Sequence, residues 1–274
     1  MPPQQARFGA YGLSVPALSG AEAWMQPQAA GAPILDLRVR VGAANDLPSR
    51  VDGESADLRL LGGGRLLARR GTGTVDYVLP AIPPPADLLH PYLAPAAALW
   101  WRWAGREAIH GGAFAGKAGA VLVLGPKEGG KSTTLAWLAE RAGVTVLADD
   151  LAVVDRRHVL AGPRSIDLRP GEPPHPGDGT VRQGSRVRVQ LAAAPDRMPL
   201  AGVVLLGWGR DVGVTDIAVE RRWEVLGPQR MYPGLDADPV SLLDLAAVPM
   251  RRVTRPRRLA SVEAAGRAIL RSFG

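Results

Sequence analysis

Residues 118–155, AGAVLVLGPKEGGKSTTLAWLAERAGVTVLADDLAVVD, decide how this chain is read. The apolar run Ala120-Val121-Leu122-Val123-Leu124 has the length of a buried strand. Gly125-Pro126-Lys127-Glu128-Gly129-Gly130-Lys131-Ser132 then matches G-x-x-x-x-G-K-[ST] at every fixed position. Leu135, Leu138 and Ala139 recur at helical spacing, so Ser132 to Arg141 is predicted as a helix. A second apolar strand, Val144 to Ala148, delivers Asp149 and Asp150. The motif therefore lies between a strand and a helix, where its chemistry requires it.

Glycines let backbone N–H groups turn inward around phosphate oxygens, and a helix N-terminus adds favourable partial charge. The segment Gly125, Pro126, Lys127, Glu128, Gly129, Gly130, Lys131, Ser132 and Thr133 is the candidate phosphate cradle. Lys131 is expected to face the outer phosphates, and the Ser132 hydroxyl to ligate Mg²⁺. Glu128 brings a negative charge into this loop, partly offset by Lys127, so its side chain is expected to turn toward solvent. Asp149 and Asp150 stand where open α/β sheets place their ligands. Neighbouring strand residues point to opposite faces. One aspartate is thus available to Mg²⁺ and the other to an acceptor, the plain alternative being a turn cap.

The chain has 274 residues, 46% of them hydrophobic, enough for one large or two small domains. It has no cysteine, which excludes disulfides, a thiolate zinc site and a cysteine nucleophile and suits the cytoplasm. The start MPPQQARFGA has no apolar core region and is not read as a signal peptide. No apolar run approaches the roughly 20 residues of a membrane span, so no membrane partner is expected. Formal net charge is +7, and the only lysines are Lys117, Lys127 and Lys131. Charge alone would suggest a nucleic-acid partner, but no reader motif accompanies it.

Residues 1–80 are expected to form a β-rich amino-terminal part: a loose lead-in over 1–30, then an antiparallel meander over 33–79. The meander comprises an alternating strand Leu35 to Val41, a hairpin Asp57 to Ala68 turning at Gly62-Gly63-Gly64, and a strand Thr74 to Leu79. Pro83-Pro84-Pro85 is a stiff connector into the second part, 81–274. Asp87 to Trp103 is predicted helical, interrupted at Pro91 and Pro95, with Trp100, Trp101 and Trp103 packing against the sheet. Ala108 to Phe114 is expected as one short strand, the first arm of a hairpin that carries His110 and feeds the phosphate loop. Further strands are expected at 164–169, 185–191, 200–206 and 217–219, and a lid-like loop over 170–180. A terminal helix is expected from Ser261, its cap, with Ala264, Ala268 and Ile269 as its apolar stripe.

A histidine in a short strand, a hairpin into G-x-x-x-x-G-K-S, a helix, then Leu147-Ala148-Asp149-Asp150 at a strand end together resemble the catalytic domain of HPr kinase/phosphorylase. The same arrangement occurs in stand-alone HPr-kinase-like proteins, some acting on ribosomally made peptides. The match covers roughly residues 105–170. The resemblance implies an α/β, P-loop nucleotide-binding domain and an ATP- and Mg²⁺-dependent kinase of a serine hydroxyl on a peptide or protein. It implies Asp149 as base, assisted by His110, which leaves Asp150 as the aspartate for the metal beside Ser132. Asp167-Leu168-Arg169 is the nearest analogue of the family's carboxylate–arginine segment for metal or substrate. The sequence departs from the family at Lys127 and Glu128, in lacking the glycine-rich signature of the reverse reaction, and in its first hundred residues. A small-molecule kinase and a non-catalytic, nucleotide-responsive peptide-binding module stay open, as does self-association. Five arginines in residues 251–258 leave three readings for Arg257 and Arg258: an acidic-acceptor patch, a charge-stabilising finger, or a solvated tail.

Overall fold

The computed structural model describes residues 7–43, 47–60, 63–169, 180–182 (backbone only) and 186–273. It is a mixed α/β structure with several sheets. β1 (Arg7–Ala10), β2 (Leu13–Ser14) and β3 (Gln26–Gln28) form a small sheet. The expected loose lead-in is therefore built structure over residues 7–30. Ala10, Tyr11, Leu13, Val15, Leu18 and Met25 are all buried. Their spacing follows neither a strand nor a helix period, because two-to-four-residue strands alternate there with single 3-10 turns.

β4 (Asp36–Val41), β5 (Arg50–Val51), β6 (Ser55–Arg59), β7 (Arg65–Arg69) and β8 (Thr74–Leu79) form a five-stranded sheet in the order β4-β8-β7-β6-β5. The β6–β7 and β7–β8 pairs are antiparallel, but β8 lies parallel to β4, so this is not a simple meander. The chain leaves β4 for the far edge, and three successive antiparallel pairings bring it back alongside. The turn residues Leu61 and Gly62 lie outside the described residues.

A single turn α1 (Pro85–Asp87) and an irregular segment Leu88–Leu93 lead into α2 (Ala94–Trp103). Helical geometry breaks at His90 (φ −147°, ψ 129°), because the residue before a proline is pushed out of the α region. Pro95 sits in the first turn of α2, where its missing N–H costs nothing. The tryptophans pack: Trp101 Nε1 donates to Tyr11 O at 2.9 Å and Trp103 Nε1 to Asp52 O at 3.0 Å. One apolar core joins Leu13, Leu35, Leu66 and Tyr77 to Leu93 and Leu99 of the helical segment and to Leu151 and Val153 beyond.

Beyond α2 come β9 (Glu107–His110), β10 (Gly112–Gly116), β11 (Gly119–Leu124), α3 (Lys131–Ala142), β12 (Val146–Ala148), β13 (Leu151–Asp155) and β14 (His158–Leu160). β15 (Ser165–Leu168), β16 (Thr180–Arg182) and β17 (Arg186–Gln190) make a separate three-stranded sheet. The proposed lid residues 170–179 lie outside the described residues. β18 (Arg197–Trp208), β19 (Gly213–Asp216), α4 (Arg222–Leu226), α5 (Pro239–Ala247), β20 (Met250–Arg255) and α6 (Val262–Phe273) complete the chain. A strand forms at 213–216 and not at the expected 217–219.

β18 organises the nine-stranded sheet. One edge pairs parallel with β11 along 120–124. The other edge forks: Arg197–Pro199 pairs with β14, and Val203–Trp208 pairs parallel with β20. Beyond β14 lie β13 and β9; beyond β20 lies β19; beyond β11 lie β10 and β12. A register shift skips Ala201 at the fork. Every residue of β11 is buried, as expected of a strand covered on both faces. Leu135 and Leu138 of α3 and Ala265 and Ile269 of α6 cover one face. Val225, Leu226 and Leu245 of α4 and α5 cover the other.

Three expectations need correction here. His110 does not stand on the arm that hairpins with β11. Gly111 separates β9 from β10, and a side chain there would meet Val123 O at 2.7 Å, so only glycine lets the backbone cross so closely. The arginine-rich segment divides: residues 251–255 belong to the sheet strand β20, where Arg255 is only 4% exposed, while Arg257 and Arg258 beyond it are exposed. Ser261 gives its hydroxyl to Pro256 O and Arg258 O, both at 2.7 Å, and the stripe of α6 runs through Ala265, Ala268 and Ile269 while Ala264 is exposed.

Candidate functional site

The loop 125–130 joins the carboxyl end of β11 to the first turn of α3. Gly130, immediately before the helix, has φ +81°, and a side chain on it would come within 2.3 Å of the Arg255 guanidinium. The left-handed backbone selects glycine there. Arg255 thus lies under the loop, stacked 4.7 Å from the Trp208 ring centroid and donating to Ser261 Oγ at 3.1 Å. Lys131 is buried and folds back, its Nζ donating to Gly125 O at 3.1 Å and Pro126 O at 3.2 Å. Pro126, Lys127 and Glu128 form the exposed crest. Glu128 takes φ +63°, and its carboxylate meets Arg169 Nη1 at 3.1 Å and Arg257 Nη2 at 3.9 Å. The charge that looked awkward in the sequence is therefore turned outward and paired. Arg258 is exposed next to Arg257.

The acidic pair lies in the turn between β12 and β13. Ser132 Oγ donates to Asp149 Oδ1 at 3.0 Å. Burial, then the neighbouring Asp150, pushes the Asp149 carboxyl up from 3.8 to about 7, against the lowering effect of the Ser132 hydrogen bond. Asp150 adopts φ +67°, so the two carboxylates do not alternate as strand neighbours would. Asp150 sits between two histidines: His110 Nδ1 at 3.7 Å from one oxygen and His90 Nε2 at 3.6 Å from the other. Burial and then Lys131 hold His110 below its usual range, against the pull of Asp150. Burial also lowers the Lys131 ammonium, while Asp149 and Asp150 pull it back. The Tyr11 phenol is raised by burial first and by Asp150 and Asp149 after that.

His90 continues outward, its Nδ1 lying 3.9 Å from Asp167 Oδ2. Asp167 is buried and held by the Arg188 fork, Nε at 3.0 Å and Nη2 at 3.2 Å. Arg188 also donates to Ala86 O and lies over the Trp24 ring. Of the sequence-predicted residues, then, Ser132 meets Asp149 and His110 meets Asp150. Asp167 reaches the cluster through His90, and Arg169 and Arg257 meet over Glu128. His90, Tyr11, Arg188 and Arg255 carried no motif. The one local signal was at His90, where a proline follows and breaks the helix.

Among the described residues no group of three or more His, Cys, Asp or Glu side chains could hold a metal ion by itself. Ser132, Asp149 and Asp150 offer hard oxygen donors, the set suited to Mg²⁺ that completes its shell with water and phosphate oxygens. No helix among the described residues is long and apolar enough to cross a membrane. No family model and no curated protein matches the chain. Among solved structures, the chain is similar to the Hpr(Ser) kinase/phosphatase from Coxiella burnetii, at 9% identity and TM-score 0.32, over 61% of this chain and 95% of that one.

Proposed function

We propose that this chain is an ATP- and Mg²⁺-dependent phosphotransferase acting on a serine hydroxyl of a peptide or protein, a ribosomally made peptide precursor included. The observation that carries the reading is the Ser132–Asp149 hydrogen bond beside Lys131 at the start of α3. It puts a hydroxyl, a carboxylate and a cation where a glycine loop would present phosphates. Mg²⁺, when bound, would neutralise charge on the phosphates; Ser132 and Asp150 are the residues to hold it. Lys131 would leave the loop carbonyls for the outer phosphates. Asp149, with its proton affinity near neutrality, would accept the acceptor hydroxyl proton as the new O–P bond forms and ADP departs. His110 would orient Asp150. The acceptor class rests on the sequence resemblance alone.

A second reading of the roles has its own observation. Ser132 bonds Asp149, while His110 contacts Asp150. Asp149 would then hold the metal and Asp150 would be the base. Calorimetry with Mg²⁺·ATP and a labelled-phosphate transfer assay test the function. Lys131→Ala is expected to depress turnover about 10²–10³-fold. Equal affinity and turnover in both proteins would sink the proposal.

A further inference from the structure

The hairpin between β1 and β2 turns at Tyr11-Gly12, and both residues have positive φ, +57° and +71°. Two-residue turns of this hand favour Asn, Asp or Gly at the first position. A bulky ring there is an outlier that stores backbone strain, and such strain gathers at functional sites. Nor does this tip lie at the surface: Tyr11 is only 1% exposed. Its N–H donates to Ala161 O at 2.6 Å, and Trp101 Nε1 donates to its carbonyl at 2.9 Å. A side chain on Gly162 would meet Tyr11 Cε1 at 2.9 Å, the hydroxyl-bearing Cζ at 3.2 Å and Ala148 Cβ at 3.1 Å. The phenol end of the ring therefore packs beside the residue that precedes Asp149.

Two other tyrosines turned into the interior use their hydroxyls. Tyr77 donates to Tyr92 O, and Tyr232 to Pro95 O at 3.2 Å. The Tyr11 hydroxyl has no hydrogen-bond partner among the described residues, and a buried polar group left so calls for a reason. Burial first, then the charges of Asp150 and Asp149, disfavour its phenolate, so the phenol keeps its proton and is a donor beside the acidic pair. We infer that Tyr11 donates to a peripheral oxygen of the phosphoryl group in transfer, so that the amino-terminal part completes the site; this rests on the phosphotransferase reading above. As the serine Oγ–P bond forms and the bond to ADP breaks, the serine proton goes to the carboxylate base and Tyr11 keeps its own. A phosphoryl oxygen arriving beside two aspartates meets like charge. A neutral O–H aimed at it offsets that repulsion without forming an ion pair with either aspartate. The hairpin tip, tied at both its N–H and its carbonyl, fixes the ring before any substrate arrives, as such a donor requires.

The test compares Mg²⁺·ADP alone with Mg²⁺·ADP plus aluminium fluoride, a mimic of the phosphoryl group in transfer, by calorimetry. Tyr11→Phe removes only the hydroxyl. Its Mg²⁺·ADP affinity and urea midpoint should match the unmodified chain, because that hydroxyl holds no partner in the fold. Its aluminium fluoride complex should weaken about 10–100-fold, as loss of a hydrogen bond to a charged group does. An aluminium fluoride complex of unchanged affinity overturns the inference. A joint fall in ADP affinity, aluminium fluoride affinity and urea midpoint also overturns it, since that marks a structural hydroxyl. Failure of the phosphotransferase reading looks different: the unmodified chain itself would then bind Mg²⁺·ADP no more tightly with aluminium fluoride than without, and both readings fall.

Discussion

Two clusters of charge lie on opposite sides of β9, and they are built on opposite principles. At its amino end Glu107, fully buried, is gripped by Arg102 and by Arg230 at 2.8 and 3.2 Å. Arg102 is satisfied further by Leu235 O at 2.7 Å and Asp236 O at 3.2 Å. At the carboxyl end, next to His110, Asp149 and Asp150 crowd together with one lysine whose hydrogen bonds go to the loop carbonyls instead. The first cluster satisfies its carboxylate with surplus cations. The second leaves negative charge waiting for one. A buried carboxylate is a structural part where its partners are fixed, and a candidate reactive part where they are not.

The largest expected effect breaks this contrast on the acidic side. Asp149→Asn should lower phosphoryl transfer about 10²–10⁴-fold while the fold survives. Calorimetry on the same variant decides its role: retained Mg²⁺·ATP binding keeps Asp149 as base, and lost binding makes it the metal carboxylate. On the other side, Glu107→Ala leaves two guanidiniums buried together and should cost about 3–5 kcal/mol in urea unfolding. An unchanged unfolding midpoint would show the triad to be dispensable.

Acidity sharpens the comparison. Asp149 titrates near 7 folded and near 3.8 unfolded. Between these values the folded chain holds a proton that the unfolded chain lacks, so stability from this group is present below the unfolded value and lost as pH rises toward 7. Asp149→Asn removes that loss. Urea midpoints should therefore show the variant gaining on the unmodified chain from pH 5 to pH 8. A constant difference would contradict the raised affinity. Smaller still, His90→Gln should slow transfer about 10–100-fold at unchanged ATP affinity, as loss of an orienting partner does. The smallest effect is at the exposed Glu128–Arg169 pair. Glu128→Gly loses a screened ion pair and a strained backbone together, so stability should move by less than about 1 kcal/mol. Its ATP affinity should rise, and a fall measured by calorimetry would give Glu128 a positive role.

The sequence made the loop, its helix and the adjacent carboxylates legible because they are local: a strand, a turn that only glycine makes, and a helix are written within about 40 residues. It made β4 legible through alternation, and β6 and β7 through the glycine run between them. Tyr11 and His90 stayed hidden because they approach the acidic pair from segments far from it in sequence, Tyr11 from the amino-terminal part and His90 from the segment before α2. Arg255 was not distinguished from the other arginines of 251–258, because nothing local separates an arginine stacked on Trp208 from a solvated one. Gly111 looked like part of one strand, and only the crossing over Val123 explains it.

The fork of β18 has a further consequence. Its amino-terminal third carries the branch that ends in His110, and its remainder carries the branch that ends in Arg255. Between the two, Ala201 drops out of register with β11. A bulge bends its strand and tightens the local twist. The relative pitch of the two branches is thus set by a single joint, in the way one elbow fixes the angle between two arms. The acid-pair side and the Arg255 side of the loop hang from different arms, so the span between them depends on backbone geometry far from any charged group.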